Sequence, residues 1–353
     1  VWIDPRAKTL RHIDRIAAWD RGESPAPVTV EWDLSNRCVL GCQDCHFAHT
    51  HIKGPWAVRA RRLPMAFEST GDLADVAVVR RTLDEFSTCG VRSIVWSGGG
   101  EPTTHPHWLA CVEHAAAVGL EQGMYTCGGL LTTETGRRLA QLASWVVVSL
   151  DAPDGASYAA EKGVPAARFE AACDGLRSLV GHRAVVGASF LLHGENVERA
   201  PEMLMLGRRL GATYTTFRPA VRTAADHPSV CVDERSWIWT ELDDLALIAG
   251  EPDVEMDLAR FANYAAWREH GYTDCHGIQL HTTITPDGRV WVCPQRRGVT
   301  AIGDVSRESF AAVWARHPRT YRVDDGCRAL CRLHPVNETL AGVRAHRVHE
   351  AFV

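Results

Sequence analysis

The chain has 353 residues, 46% of them apolar, with a formal net charge of -5 and a pI near 6.4. That is enough to bury one large core, alone or with a smaller appended domain, and it excludes disorder as the main state. The acidic balance argues against a nucleic-acid partner, which needs an excess of Lys and Arg to meet phosphates, and leaves a small-molecule substrate as the default. Lys8, Lys53 and Lys162 are the only lysines, so nearly all positive charge is arginine. No apolar run approaches a membrane span, and the opening "VWIDPRAKTLRH" lacks the apolar segment of a secretory signal, so a soluble, cytoplasmic protein without a membrane partner is expected. In that compartment thiols stay reduced, and 12 cysteines point to metal rather than to disulfides.

In chain order, a polar helix is predicted near 7–19, followed by the β-branched, alternating strand "VTVEWDLS" at 28–35. Strand and helix patterns then alternate: helix 70–88, strand 93–99, helix 106–118, strand 121–127, helix 133–143, strand 145–151, helix 166–181, strand 184–192, helix 198–210 and strand 213–219. Six β/α units imply a parallel sheet, open or curled into a partial (β/α)6 barrel, over a core domain spanning 1–225. Past Arg218 the alternation stops. A second domain, 226–353, begins with a helix near 233–249 and carries the hairpin "HTTITPDGRVWVCP", a helix at 306–316 and a cysteine-bearing tail.

Ligands of parallel sheets bind beyond the carboxyl ends of the strands, which selects Cys38 to Cys45, Gly98 to Gly100, Cys127, Asp151, Asn196 and Arg218. Cys38, Cys42 and Cys45 offer three thiolates from the loop after the first strand, whereas a structural zinc site closes its shell with four ligands. On a 4Fe-4S cluster, three thiolates leave one iron open to a ligand that is not protein. In "SGGGEPTTHP", Gly98, Gly99 and Gly100 bare the backbone for close approach and Glu101 suits an ammonium group, against the bland reading of an ordinary Gly-rich turn. In "SLDAP", Ser149 and Asp151 stand at the end of the fourth strand.

These three strings, in this order at strand ends, resemble the signatures of the radical S-adenosylmethionine (radical SAM) enzymes. The resemblance implies that the open iron chelates the amino and carboxylate groups of S-adenosylmethionine, and that a 5'-deoxyadenosyl radical then takes a hydrogen atom from substrate. It also implies that Gly98 to Gly100 and Glu101 contact the methionyl amino group, and that Ser149 and Asp151 hold the methionyl group or ribose. The residue before the third cysteine is usually aromatic in that family but is Asp44 here, so His46 or Phe47 is the candidate for adenine contact. His46, His49 and His51 read more simply as a polar loop than as metal ligands.

Cys275, Cys293, Cys327 and Cys331 form a second set of four, suited to a structural zinc or to a fully ligated auxiliary cluster. Their arrangement around the hairpin and the helix "IGDVSRESFAAVW" resembles the twitch domain, the shortened form of SPASM, which implies an auxiliary 4Fe-4S cluster. Cys89, Cys111 and Cys173 fall on helical apolar faces as small hydrophobes. Cys127, in "MYTCGGLL" where many relatives have Thr-Asn-Gly, and Cys231, in the loop after the last core strand, are the candidate hydrogen donors to a substrate radical.

Members with a twitch region include aminocyclitol dehydrogenases and aminoglycoside epimerases. The leading expectation is epimerisation at a carbinol of an amino sugar or aminocyclitol from secondary metabolism, such as antibiotic biosynthesis, with a flavodoxin or ferredoxin as reductant. Dehydrogenation through the auxiliary cluster, diol dehydration and peptide modification are alternatives, peptide modification being disfavoured because only about thirty residues precede the first strand. A redox-inert zinc scaffold is the non-enzymatic alternative.

Overall fold

A computed structural model describes residues 5–42, 45, 48–49, 68–69, 72–220, 232–266, 270–324, 327 and 331–345. Ten strands form one sheet: β1 (Thr29–Asp33), β2 (Ser93–Ser97), β3 (Glu121–Thr126), β4 (Trp145–Ser149), β5 (Val185–Leu192), β6 (Tyr214–Pro219), β7 (Val254–Met256), β8 (His281–Ile284), β9 (Arg289–Trp291) and β10 (Ala301–Asp304). Their spatial order is β10-β9-β8-β1-β2-β3-β4-β5-β6-β7. All neighbours from β8 to β7 run parallel, and β8, β9 and β10 pair antiparallel. The expected six strands are β1 to β6 in their expected sequence. The sheet then continues at both edges, with β7 beyond β6 and the hairpin strand β8 paired directly to β1, Glu31 opposite Thr283. Among the described residues the pairing closes no barrel, and it does not fix the curvature that a partial barrel requires.

Alternation along the strands gives the sheet two unlike faces. Val30, Trp32, Ile94, Trp96, Met124, Val146, Val148, Ala188, Phe190 and Phe217 point to one face and are buried there. The helices that cover this face start and stop for local reasons. In α3 (Val76–Cys89), which follows α1 (Pro5–Leu10) and α2 (Ile13–Asp20), the Asp75 carboxylate accepts from the Ala77 and Val78 amides, and Gly90 ends the helix at φ 90°. α4 (Trp108–Ala117), α5 (Thr133–Leu142), α6 (Gly155–Lys162), α7 (Arg168–Arg177) and α8 (Ala200–Leu210) follow in order. The other face carries Glu31, Asp33, Tyr125, Ser149, Ser189, Thr216, Arg218 and Thr283, an unusually polar lining for parallel strands.

The helix expected at 7–19 is broken into α1 and α2, and the one expected at 306–316 shortens to Phe310–Trp314 because Ser309 caps it at the Ala312 amide. Elements not legible in the sequence include α6, β7, the helix Leu258–Ala266, β10 and the helix His334–Ala345. Phe310 packs edge-on against Phe86 of α3 at 4.7 Å, and Phe86 meets Trp32 at 6.0 Å, so one aromatic line joins the C-terminal region to the first strand. Phe86→Ala is expected to lower stability by about 3–5 kcal/mol, read as a reduced midpoint in chemical unfolding.

Candidate active site

The cysteine loop is held by backbone contacts before any ligand enters. Asn36 N donates to Asp72 O at 2.8 Å, Gly100 N to Ser35 O at 3.0 Å and Glu101 N to Arg37 O at 2.8 Å, so the loop after β1 lies directly on the turn after β2. A Cβ on Gly100 would fall 2.1 Å from Arg37 O, which explains the glycine by close approach of two backbones. On the other side, Gly41 N donates to Lys162 O at 2.8 Å, and Gly163, at φ +63°, lets the end of α6 approach Gly41. Cys38, Cys42 and Cys45 are half-buried and free of disulfides. Burial, followed by Cys42, Glu101 and Cys45 nearby, pushes the Cys38 thiol far up, so the three sulfurs share one electrostatic neighbourhood that a cation would relieve.

Glu101 is 4% exposed. Its Oε1 accepts from Thr103 N (3.2 Å), Thr103 Oγ1 (2.6 Å) and Thr126 Oγ1 (2.6 Å), and its Oε2 from Cys127 N (2.6 Å). The carboxylate expected to meet an ammonium thus already cross-links the ends of β2 and β3, with Oε2 the less crowded oxygen. Cys127 is buried, and burial, then Glu101 and Cys38, keep its thiol well above the ordinary range. It therefore sits beside the first thiol set. The other candidate donor, Cys231, and the candidate adenine contact, Phe47, lie outside the described residues.

Asp151, the expected cofactor contact after β4, adopts φ 58°, a left-handed conformation in a residue that is not glycine. Its Oδ1 accepts from Leu191 N (2.8 Å) and its Oδ2 from Ser149 Oγ (2.8 Å), while Lys162 Nζ forms an ion pair with Oδ2 and donates to Ser149 Oγ at 3.2 Å. Lys162 is 4% exposed; burial alone would lower its pKa, but Asp151 and then Cys42 hold it well above the usual lysine value. This buried ammonium next to Cys42 is the functional group that sequence reading missed.

The polar face of the sheet holds a second group of charges. Arg297 Nη2 donates to Glu31 Oε1 at 2.9 Å, Arg332 Nη1 donates to Glu31 Oε2 at 2.6 Å, and Arg297 also pairs with Asp33. Burial would raise Glu31, but Arg332, His281 and Arg297 outweigh it and keep the carboxyl far below its usual range. For Asp33 burial wins, pushing it up to about 7 against the pull of Arg297. Arg218, on β6, lies over the Tyr125 ring at 5.4 Å, and burial together with Arg218 and Arg332 brings Arg260 down to about 10.

Of the second thiol set, Cys275, Cys293 and Cys331 pack with an apolar patch of Ile278, Val292 and Leu333. Cys275 lies in a two-residue strand paired with Tyr321–Arg322, Cys293 follows β9, and Cys331 precedes the helix His334–Ala345. Burial and then Cys331 push Cys275 and Cys293 up to about 12, and Cys327 is near Cys331 as well. All four are free thiols, so the donor set is a thiolate set. Among the described residues no three thiol, imidazole or carboxylate groups converge on one ion. Within each set the thiols disfavour one another's ionisation, a penalty that a shared cationic iron-sulfur group would relieve. Cys111 and Cys173 are buried and Cys89 is half-buried on α4, α7 and α3, in keeping with packing.

Residues 32–206 match the radical SAM superfamily, and residues 275–333 match the SPASM iron-sulfur cluster-binding domain. The chain carries a radical SAM domain followed by a SPASM domain; the first binds S-adenosylmethionine and a 4Fe-4S cluster, and the second binds additional iron-sulfur. It is similar to the AdoMet-dependent heme synthase of Methanosarcina barkeri, 28% identical over 346 residues that cover 91% of this chain and 92% of that protein. It is also similar to the mycofactocin maturase MftC of Mycobacterium tuberculosis, 28% identical over 79% of this chain and 67% of that protein. The match to the pre-heme d1 synthase of Dinoroseobacter shibae is 28% identical and covers 52% of this chain and only 41% of that protein. Among solved structures, Streptococcus suis SuiB shares the fold with TM-score 0.60 at 16% identity, over 90% of this chain and 72% of SuiB. No helix among the described residues is long and apolar enough to cross a membrane.

Lys162→Met leaves the Asp151 carboxylate buried without its cation. The expected loss is about 3–5 kcal/mol, measured by chemical unfolding, with a smaller loss in Lys162→Arg.

Proposed function

We propose that this chain is a radical SAM enzyme that removes a hydrogen atom from a substrate lying against the polar face of the sheet, with Cys38, Cys42 and Cys45 holding the S-adenosylmethionine-binding cluster and Cys275, Cys293, Cys327 and Cys331 the auxiliary one. Once loaded, the first cluster supplies the electron for reductive cleavage of S-adenosylmethionine, which yields the hydrogen-abstracting group. The observation that carries this reading is the three-thiol loop seated on the buried Lys162–Asp151 pair, with Glu101 and Cys127 on its other side.

The chain's own residues have separable tasks. Lys162, charged and oriented by Asp151 and Ser149, faces the methionyl carboxylate beside Cys42. Glu101 receives the methionyl ammonium at its less crowded oxygen, while Thr103 and Thr126 keep the carboxylate from turning. Gly98 to Gly100 let the methionyl group approach the backbone.

The overall reaction is epimerisation at a carbinol carbon, with Cys127 returning a hydrogen atom; burial keeps that thiol protonated, as a donor of a hydrogen atom must be. Oxidation to a ketone with the auxiliary cluster as electron acceptor is the companion outcome. A second reading, a residue of a peptide as substrate, is favoured by the similarity to the PqqA peptide cyclase of Methylobacterium sp., 23% identical over 87% of this chain and 78% of that protein. In either case residues 1–225 serve as core and 226–353 as auxiliary-cluster domain, with a flavodoxin or ferredoxin as the cytoplasmic electron source.

After anaerobic reconstitution, Cys42→Ala is expected to reduce dithionite-driven 5'-deoxyadenosine formation to background; full activity in that variant contradicts the assignment. In deuterated water, with aminoglycosides, aminocyclitols and short peptides as substrates, the wild type is expected to return one solvent deuterium to product. Cys127→Ala is expected to lose that deuterium, and unchanged labelling would remove Cys127 from the donor role.

A further inference from the structure

We propose that His193 and Glu161 are positioning residues, whose hydrogen bond pins the last turn of α6 to the end of β5 and so aims the Lys162 ammonium at the methionyl carboxylate of S-adenosylmethionine. The inference rests on the reading above that Lys162 meets that carboxylate, and it identifies what holds the ammonium in place.

His193, just past β5, is 2% exposed, and Asn196 is buried beside it. Asn196 Oδ1 accepts from His193 N at 2.9 Å and its Nδ2 donates to Leu191 O at 2.9 Å, so one amide side chain closes the turn after the strand. The His193 ring is held at both nitrogens. Its Nδ1 accepts from the Glu195 amide at 3.3 Å, which assigns the ring proton to Nε2, and Nε2 donates to Glu161 Oε1 at 2.9 Å. Glu161 stands next to Lys162 in the last turn of α6.

That turn is the weakest part of its helix. α6 has only eight residues and ends at Gly163, and the terminal turn of so short a helix opens first. Yet the same turn carries both contacts to the cysteine loop: Lys162 O, which accepts from Gly41 N, and Lys162 Nζ, which lies beside Cys42. The end of β5 also holds the partner of the ammonium, because Leu191 N donates to Asp151 Oδ1 at 2.8 Å. Leu191, His193 and Asn196 thus fix Asp151 on one side and the α6 turn on the other. A held lysine chain gives up much rotamer freedom, and a turn fixed beforehand spares the ligand that cost.

The test is isothermal titration calorimetry on the anaerobically reconstituted full chain, with S-adenosylmethionine and with its decarboxylated form, which keeps the nucleoside, the sulfonium and the amine. The wild type is expected to prefer S-adenosylmethionine. His193→Phe and Glu161→Ala should each weaken S-adenosylmethionine on the order of tenfold and leave the decarboxylated ligand within about twofold of wild type. The double variant should lose no more than either single one, since both remove the same bond. His193→Gln, whose amide nitrogen can take the place of Nε2, should restore most of the affinity. A residue needed only for folding would weaken both ligands together, and circular dichroism and iron content report whether each variant is folded and loaded. Should His193→Phe fail to fold, Glu161→Ala and His193→Gln carry the same comparison. Equal losses for the two ligands, or additive losses in the double variant, overturn the proposal. Equal binding of the two ligands by the wild type removes Lys162 from the methionyl carboxylate and overturns that reading and the inference with it. A wild-type preference that neither single variant alters overturns the inference alone and leaves the reading standing.

Discussion

Glu31, buried in the middle of β1, accepts from Arg297 and from Arg332, two residues that follow it by more than half of the chain. Removing either arginine while the site stays closed would leave that carboxylate buried and undercompensated, at a cost of about 3–5 kcal/mol, so the ion pairs tie β1 to the C-terminal region. The consequence reaches both thiol sets. β1 leads directly into the loop of Cys38, Cys42 and Cys45, Arg297 follows Cys293, and Arg332 follows Cys331. The buried carboxylate thus links the segments that carry the two cysteine sites, alongside the pairing of β8 with β1 and the contact of Phe310 with Phe86.

With that tie in place, the two faces of the sheet take different tasks. The helix-covered face supplies hydrophobic burial, while the polar face collects charges whose cost is met by pairing: Lys162 with Asp151 at one end, Glu31 and Asp33 with Arg297 and Arg332 at the other. The site is assembled from the ends of β1, β2, β3 and β4, each contributing one short segment: the cysteine loop, the Gly-rich turn, Cys127 and Asp151. Contacts between neighbouring segments, such as Glu101 to Cys127 and Gly41 to Lys162, make these segments a single preformed surface.

Much of this was legible in the sequence, for identifiable reasons. The strands β1 to β6 announce themselves by β-branched residues between turn signals, and the cysteine spacing and Gly98–Glu101 are local strings. The hairpin is marked by Pro286-Asp287-Gly288, and Gly288 takes φ +85° there. What stayed hidden depends on tertiary contact. α6 is only eight residues long and follows a Pro-Asp-Gly turn, so Lys162 read as one of three lysines rather than as the partner of Asp151. β7 spans three residues and gains strand geometry only by pairing with β6. Glu101 was recognised, but its bonds to Thr126 and Cys127 cross 25 and 26 residues, beyond any local pattern. The contact of His193 with Glu161 leaves no local signature either, since it crosses 32 residues.

The central claim is that one thiol set holds a cluster open to S-adenosylmethionine while the other holds a closed one. The most direct measurement is electron paramagnetic resonance of the dithionite-reduced, anaerobically reconstituted protein, with and without S-adenosylmethionine and with iron and sulfide counted on the same sample. The account predicts two 4Fe-4S signals, of which one shifts on adding S-adenosylmethionine and is missing in a Cys38, Cys42 and Cys45 triple alanine variant. Stoichiometric zinc, or iron signals that S-adenosylmethionine leaves untouched, would contradict it.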